Sequence, residues 1–441
     1  MFTRKDLLRL LIPLIIEQVL MVTVGMADGI MVARVGEAAL SGVSLVDGIN
    51  ILLIGLFSAL ATGGAVVSAQ YLGHKEEKNA CKAGEQLIIS VFVLSLIMMG
   101  ITFAARDAVL SLLYGKVEAN VMAYAKTYMF YSAMSYPFIA LYNCCAALFR
   151  SMGNSKVSMK ISILMNLINI IGNAILIFGF DMEVAGAAIA TLVSRVFAAI
   201  AVLILLMDRK HVIHIESFRH IRPNRFMIKR ILRIGLPNGM ENSVFQVGKI
   251  LVSGIIAGFG TQAISANAIA VTIGGFGVLP GSALGLALIT VVGQCIGAGD
   301  FDGVKNYTKK LMRITHISMI VINTIIVILL PIILKLYKAT GETHEIATGL
   351  IIYHCVLATL IWPSSFSLPN ALRASNDVKF TMWVSMISMW VWRIAFSYIL
   401  AVVFDIGVLG VWIAMTIDWL FRATCFIIRF KKEKYREITV I

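Results

Sequence analysis

Two carboxylates stand inside the first long apolar segment of this 441-residue chain. Glu17 and Asp28 are eleven positions apart. On a helix of 3.6 residues per turn that spacing puts them within about 20° of one face and roughly 16 Å apart along it. An acidic side chain at bilayer depth costs about 2.5 to 3.5 kcal/mol on insertion scales, so it faces a wet cavity or a partner and marks a transport path. The chemistry open to such a carboxyl is reversible uptake of a proton or small cation. The competing account is a buried ion pair, or a protonated carboxyl, that locks helices together.

A second constellation lies further on. Ser162, Asn166, Asn169 and Asn173 recur at i, i+4, i+7 and i+11, which is one helical face. With Thr191 and Ser194 in the next apolar segment and Asp28 in the first, they would surround a proton, a sodium ion or a substrate with oxygen ligands, as hard cations prefer. Interhelical hydrogen bonding alone, worth about 0.6 kcal/mol per contact, is the alternative. Asp28, Asn169, Asn173, Thr191 and Glu17 are therefore the candidates for ion coupling. Glu241, Lys249, Asn166, Arg195 and His354 are the candidates for substrate contact. Of the other intramembrane charges, Asp418 and Arg422 are at i, i+4 and can bond within one helix. Arg195 is expected to neutralise Glu17 or Asp28, and Arg393 to reach Asp418; Lys126 is expected to be paired.

Positioning these groups requires membrane helices. A mean hydropathy of +0.88, with 59% apolar and 14% charged residues, defines an all-α polytopic membrane protein. Apolar runs fall at 7–33, 42–72, 84–105, 121–148, 157–180, 184–207, 231–258, 263–296, 312–336, 346–372, 380–404 and 408–429, which predicts twelve spans and both termini on one side. The net charge of +14 is placed asymmetrically. Basic residues gather at the termini and in even-numbered loops, as at Lys75, Lys78 and Lys82, at Arg150, Lys156 and Lys160, at Arg373 and Lys379, and at eight positions between 209 and 233. The odd-numbered loops hold only Arg34, Arg106, Lys116, Lys335 and Lys338. By the positive-inside rule the termini are cytoplasmic, so the basic excess reflects topology and anionic lipid rather than nucleic acid. The start of the chain shows no cleavable signal peptide and is expected to target itself through its first span. The six cysteines have no metal-ligand spacing and read as small packing residues.

The chain is also duplicated. A shift of 224 positions superposes Pro13 on Pro237, Glu17 on Glu241, Ser58-Ala59-Leu60 on Ser282-Ala283-Leu284 and Gln70 on Gln294. With small gaps, Tyr136-Pro137 matches Trp362-Pro363, and Arg150 and Lys156 match Arg373 and Lys379. Residues 1–208 and 231–441 then form two pseudo-symmetric six-helix lobes joined by a cytoplasmic linker, 209–230. That is the parallel-repeat plan of many secondary transporters. Pro13, Pro237 and Pro280 are candidate hinges, because proline removes a helical hydrogen bond. The run Gly274-Gly275-Phe276-Gly277 before Pro280-Gly281 is expected to bend or break the eighth span.

In their order along the chain, several motifs resemble the multidrug and toxic compound extrusion (MATE) family of the MOP superfamily. They are Pro13 with Asp28 fifteen residues later, the loop Arg150-Ser151-Met152-Gly153-Asn154-Ser155-Lys156, the run from Asn169 to Gly179, Gly186 to Thr191, and Gly235-Leu236-Pro237. The resemblance covers essentially the whole chain. It implies a monomeric cation-coupled antiporter of the plasma membrane that exports cationic amphipathic compounds by alternating access, with a proton or sodium ion and no other cofactor. It carries family roles to Asp28, Pro13, Asn169 and Thr191. Two departures stand out. Asn173 replaces a second acidic residue that many members have in the fifth span, and the acidic positions of the seventh and tenth spans fall near Phe245 and Trp362. Arg195, Lys249 and Arg393 put basic groups in both lobes, which leaves an anionic or zwitterionic substrate as the alternative.

Other classes fit less well. A flippase for lipid-linked oligosaccharides would share the many-helix plan but would need a more continuously basic cavity for pyrophosphate. The sequence has no His-Glu-x-x-His, no clustered aspartates and no phosphate-binding loop, so neither an enzyme nor an ATP-driven pump within this chain is expected.

Overall fold

The computed structural model describes residues 2–114, 117–216, 222–337 and 339–437. Part of the linker, including Arg219, and the loop residues Lys116 and Lys338 lie outside them.

Among the described residues all regular structure is helical. Thr3 caps the first helix: its hydroxyl accepts from the Asp6 N–H at 3.2 Å, and Asp6 accepts in return from the Thr3 N–H at 2.9 Å. This reciprocal box satisfies donors that a helix start leaves open. The helices of the first half are α1 Arg4–Ala33, α2 Glu37–Gly73, α3 Glu77–Tyr114, α4 Ala119–Ser151, α5 Ser155–Asn173 and α6 Glu183–Leu206. The second half holds α7 Arg225–Ala257, α8 Thr261–Gly277, α9 Leu279–Gly297, α10 Phe301–Leu336, α11 Gly341–Trp362, α12 Leu368–Ala374, α13 Val378–Ile387, α14 Phe396–Tyr398 and α15 Val408–Lys431. Wider π turns extend α5 through Ala174–Gly179, join α11 to α12 through Pro363–Ser367, and carry the chain on from α13 at Ser388–Ala395 and Ile399–Val403. Joined in this way the helices of the described residues number thirteen, and twelve spans result when α8 and α9 are counted as the two pieces of one broken span. Eleven helices among the described residues are long and apolar enough to cross a bilayer. α7 has the length, at 33 residues, but carries Lys229, Arg230, Arg233, Glu241 and Lys249.

The chain divides into two compact units, residues 2–239 and 240–441, a division that falls inside α7. In the first unit α4 is the central helix, with Ala140, Cys144, Cys145, Ala146 and Ala147 buried where small side chains let neighbours approach. The first turns of α7 also pack there. Gly63 on α2 is so close that an added Cβ would lie 2.6 Å from the Ile231 carbonyl. The linker residues Val212 and Arg222 accept hydrogen bonds through their carbonyls from Cys81 (3.3 Å) and Gln86 (3.0 Å).

The eighth span breaks at Val278, between α8 and α9, where its glycine run and proline lead to that expectation. Breaks at membrane depth persist only where protein or water satisfies the freed carbonyls. Asn323 on α10 donates to the Gly277 carbonyl at 3.2 Å, and Ser367 donates to the Gly281 carbonyl at 2.8 Å. The corresponding stretch of the first half, Leu53-Ile54-Gly55-Leu56-Phe57, lacks the proline and runs unbroken through α2. There Phe57 is fully buried, 6.2 Å between ring centroids from Tyr136. In the second half a Cβ at Gly281 would collide with the Trp362 ring, so glycine makes room for the larger aromatic. Pro280 accordingly sits in the first turn of α9, whereas Pro13 and Pro237 are inside continuous helices.

Candidate functional site

In the first unit the asparagine stripe of α5 meets Asp28 of α1. Asn173 donates to Asp28 Oδ1 at 2.7 Å across 145 positions of sequence. Asn169 bridges Asp28 and Thr191. With its amide nitrogen toward the carboxylate it donates to Asp28 at 2.7 and 3.2 Å, while its oxygen accepts from the Thr191 hydroxyl at 3.0 Å. Ser194 is tied to the Thr191 carbonyl at 2.8 Å. Asn166 is buried on the same face of α5 but is not among the partners of Asp28. The π turns that follow Asn173 begin one residue beyond this site, a placement common where a helix carries function.

A second carboxylate joins the cluster that the sequence reading passed over. Asp47 on α2 accepts from Asn50 at 3.3 Å and faces the Tyr128 hydroxyl. Asn50 also donates to Ser132 at 3.3 Å and accepts from Tyr136 at 2.9 Å. Arg195, expected to neutralise Glu17 or Asp28, bonds instead to Ser135 at 2.6 Å, close enough to act electrostatically on both Asp47 and Asp28. Two carboxylates against one guanidinium leave one uncompensated negative charge when both acids are ionised. The available signal was an acid within the second span with Asn50 one turn on, at i, i+3.

Glu17 belongs elsewhere. It is 8% exposed and accepts from Ser158 at 3.0 Å, from Arg150 at 3.5 Å and from Tyr142 at 3.5 Å. Its equivalent in the second half repeats the arrangement: Glu241 accepts from Arg373 at 2.7 Å, Ser385 at 2.6 Å and Arg422 at 3.4 Å. Arg150 and Arg373 are thus not loop charges but the basic halves of a duplicated, largely buried ion pair. Arg422 reaches Glu241 rather than Asp418. Asp418 is held by Ser388 and by Arg393, whose Nη1 lies 3.3 Å away, as expected for the Arg393 pair. Lys126 pairs with Asp107 at 3.1 Å.

Two of the cavities in the second unit, of about 280 and 360 Å³, share Phe245, Trp362 and Phe366 as walls. The smaller is floored by Glu241, Arg373 and Arg422. The larger is lined by Lys249, Arg393, His354, Trp412 and Trp419 among others, and by no carboxylate. His354 packs edge-on against Trp412 and Trp419, 5.5 Å from each ring centroid, and leans on Gly274. Lys249 is solvent-accessible and stands 5.3 Å from the Phe245 ring. Thus the structure brings together Asp28, Asn169, Asn173 and Thr191 in one unit, and Lys249 with His354 in the other. It keeps Glu17 and Glu241 in separate ion pairs.

Comparison with known proteins gives one consistent result. The model of the MatE family matches residues 13–175 and again 237–399, so the second copy begins 224 residues after the first, on the matching proline. The chain is 28% identical to "Uncharacterized transporter YisQ" of Bacillus subtilis, over 92% of this chain and 89% of that protein. It is 24% identical to "Probable multidrug resistance protein NorM" of Thermotoga maritima, over 99% and 94%. Among solved structures it resembles an outward-facing multidrug resistance MATE family transporter, with a TM-score of 0.92 at 20% identity, covering 98% of this chain and 97% of that one.

Proposed function

This chain belongs to the MatE family of multi-pass membrane transporters, and we propose that it is a secondary active exporter of amphipathic small molecules. Export is driven by antiport of a proton or a sodium ion bound at Asp28. The site lies in the plasma membrane, with the termini in the cytoplasm. The observation that carries this reading is the carboxylate of Asp28 held by Asn173 and Asn169 in a cluster with one negative charge in excess. A cation that enters removes that excess. Multidrug resistance and export are named for similar proteins, NorM of Thermotoga maritima and MepA of Staphylococcus saprophyticus, which supports drug-like cargo.

The Asn169 amide gives the site a means of responding to its ion. An ionised Asp28 needs donors, so the amide turns its nitrogen to the acid and its oxygen to Thr191. A protonated Asp28 becomes a donor itself and favours the opposite orientation, in which the Asn169 nitrogen donates to Thr191 at 3.0 Å. Protonation on α1 is thereby passed to α6 through one side chain. Since a ligand shifts a conformational equilibrium only by its differential affinity for the two states, this coupling must favour one arrangement of the transporter over the other. Asp28→Asn imitates the permanently protonated acid. In reconstituted vesicles under an imposed proton or sodium gradient it should abolish export while leaving substrate binding. Pumping at the wild-type rate under either gradient would remove Asp28 from the coupling role.

A further inference from the structure

The two halves share a fold but not a charge. In the first unit the membrane-embedded groups Asp28, Asp47 and Arg195 carry a negative excess, and Glu17 is matched by Arg150. In the second, Glu241 and Asp418 face four cations: Arg373, Arg422, Arg393 and Lys249. The surplus is not spread evenly. Arg373 and Arg422 converge on Glu241, and Arg393 holds Asp418. That leaves Lys249, which forms no ion pair among the described residues; the charged group acting on it is Arg393, of the same sign.

Both like charges line the larger cavity, where the Trp412 indole N–H is taken by Asn267 at 3.0 Å and the Ser253 hydroxyl by the Lys249 carbonyl at 2.9 Å, but two further donors are short of partners. Arg393 Nε and the indole N–H of Trp419, a residue 3% exposed, are buried without a hydrogen-bond partner. Phe245, Trp362, Phe366, Trp412 and Trp419 supply an aromatic wall. Buried donors without partners are costly, Lys249 and Arg393 carry the same charge beside one cavity, and one ligand chemistry answers both. A cavity of about 360 Å³ is within the range that takes a small organic molecule.

We infer that this cavity binds an aromatic organic anion, with its carboxylate or sulfonate between Lys249 and Arg393 and its ring system against Trp412 and Trp419. The inference rests on the exporter reading for its biological sense and names the cargo class, in place of the cationic one that the family resemblance implies. It does not depend on the coupling site, since all of its residues lie between 240 and 441. A cationic ligand would meet two positive charges and no carboxylate on the wall.

The test is equilibrium binding to the purified full chain in detergent, without any gradient, using a pair of probes of matched shape and opposite charge: radiolabelled 1-naphthoate and 1-naphthylmethylammonium. A charge-assisted hydrogen bond in such a site is worth about tenfold or more in affinity, so naphthoate should bind about tenfold tighter. Lys249→Gln should erase that preference and Lys249→Arg should keep it. Because Lys249 is solvent-accessible and unpaired, neither change should disturb folding, which a monodisperse elution profile checks. Tighter binding of the ammonium probe, or a naphthoate preference that survives Lys249→Gln, overturns the inference. Asp28→Asn separates the two proposals. It should leave the naphthoate preference intact while ending gradient-driven export. An anion preference in a wild-type protein that exports nothing would sink the exporter reading alone.

Discussion

Glu241→Gln is the most informative single change, because it separates a ligand from a brace. In the structure Glu241 Oε1 takes donors from Arg373, Ser385 and Arg422, with carboxylate and guanidinium side chains no more than 9% exposed. Removing one partner of a buried pair leaves an uncompensated charge and costs about 3 to 5 kcal/mol. Here two guanidinium groups are stranded. For a cooperative unit of about 200 residues, 1 kcal/mol moves the melting temperature by about 2 to 4 °C, so the expected fall is about 6 to 20 °C. Glu17→Gln should cost less, about 1.5 to 3 kcal/mol, because Arg150 is farther, at 3.5 Å, and its side chain is 15% exposed. Replacing Glu241, Arg373 and Arg422 together by methionine should recover much of the loss, since a whole buried cluster can give way to apolar side chains at little cost. Thermal unfolding of detergent-purified protein, followed by size-exclusion fluorescence, reads all of these. If Glu241→Gln melts with the wild type yet no longer transports, the carboxylate contacts cargo or ion and the brace reasoning fails.

Two further outcomes follow from the first unit and from the loop charges. Changing Asn169 and Asn173 both to Leu should abolish transport while shifting the melting temperature by only a few degrees, as about 1 kcal/mol per neutral hydrogen bond allows; equal loss of stability and transport would mean that the stripe merely packs helices. A cysteine placed at Glu216 should be protected from a membrane-impermeant thiol reagent in intact cells and one placed at Thr340 should be labelled, when each is compared with the parent chain. The reverse pattern would invert the topology.

The span count, the duplication and the asparagine stripe were legible in the sequence because each is a short-range regularity: hydropathy over about 20 residues, a fixed offset, or one helical face. The break at Val278 was legible for the same reason, since glycine and proline act locally. Partners were not. Glu17 and Asp28 share a face of α1, but what each meets depends on α4 and α5, more than 100 positions away. Arg150 looked like a topological charge beside a loop, and only packing turns it inward to Glu17. Asp418 and Arg422 had the right spacing for a bond within one helix. Such a surface pair gains only about 0.2 to 0.5 kcal/mol, so tertiary partners decide, and Arg393 and Glu241 take them apart.

The duplicated ion pair also explains how the halves could diverge in charge without losing the fold. Glu17 with Arg150 and Glu241 with Arg373 sit at matching positions and are each neutral as a pair. They fix α1 to α4 in one half, and α7 to α12 in the other, without setting the sign of the space beside them. That sign is set by residues that do not correspond. At the 224-residue offset Asp28 stands where the second half has Val252, and Asp47 where it has Val271. Both valines line the larger cavity of the second unit. In the other direction, Lys249 stands where the first half has Gly25. The same scaffold positions therefore present carboxylates in one unit and an apolar wall with a cation in the other. The carboxylate pair Asp28 and Asp47 thus has no counterpart at the matching positions of the second half. Under the two proposals above the work is divided: the cation is held in the first unit by Asp28, and the cargo in the second by Lys249 and the aromatic wall.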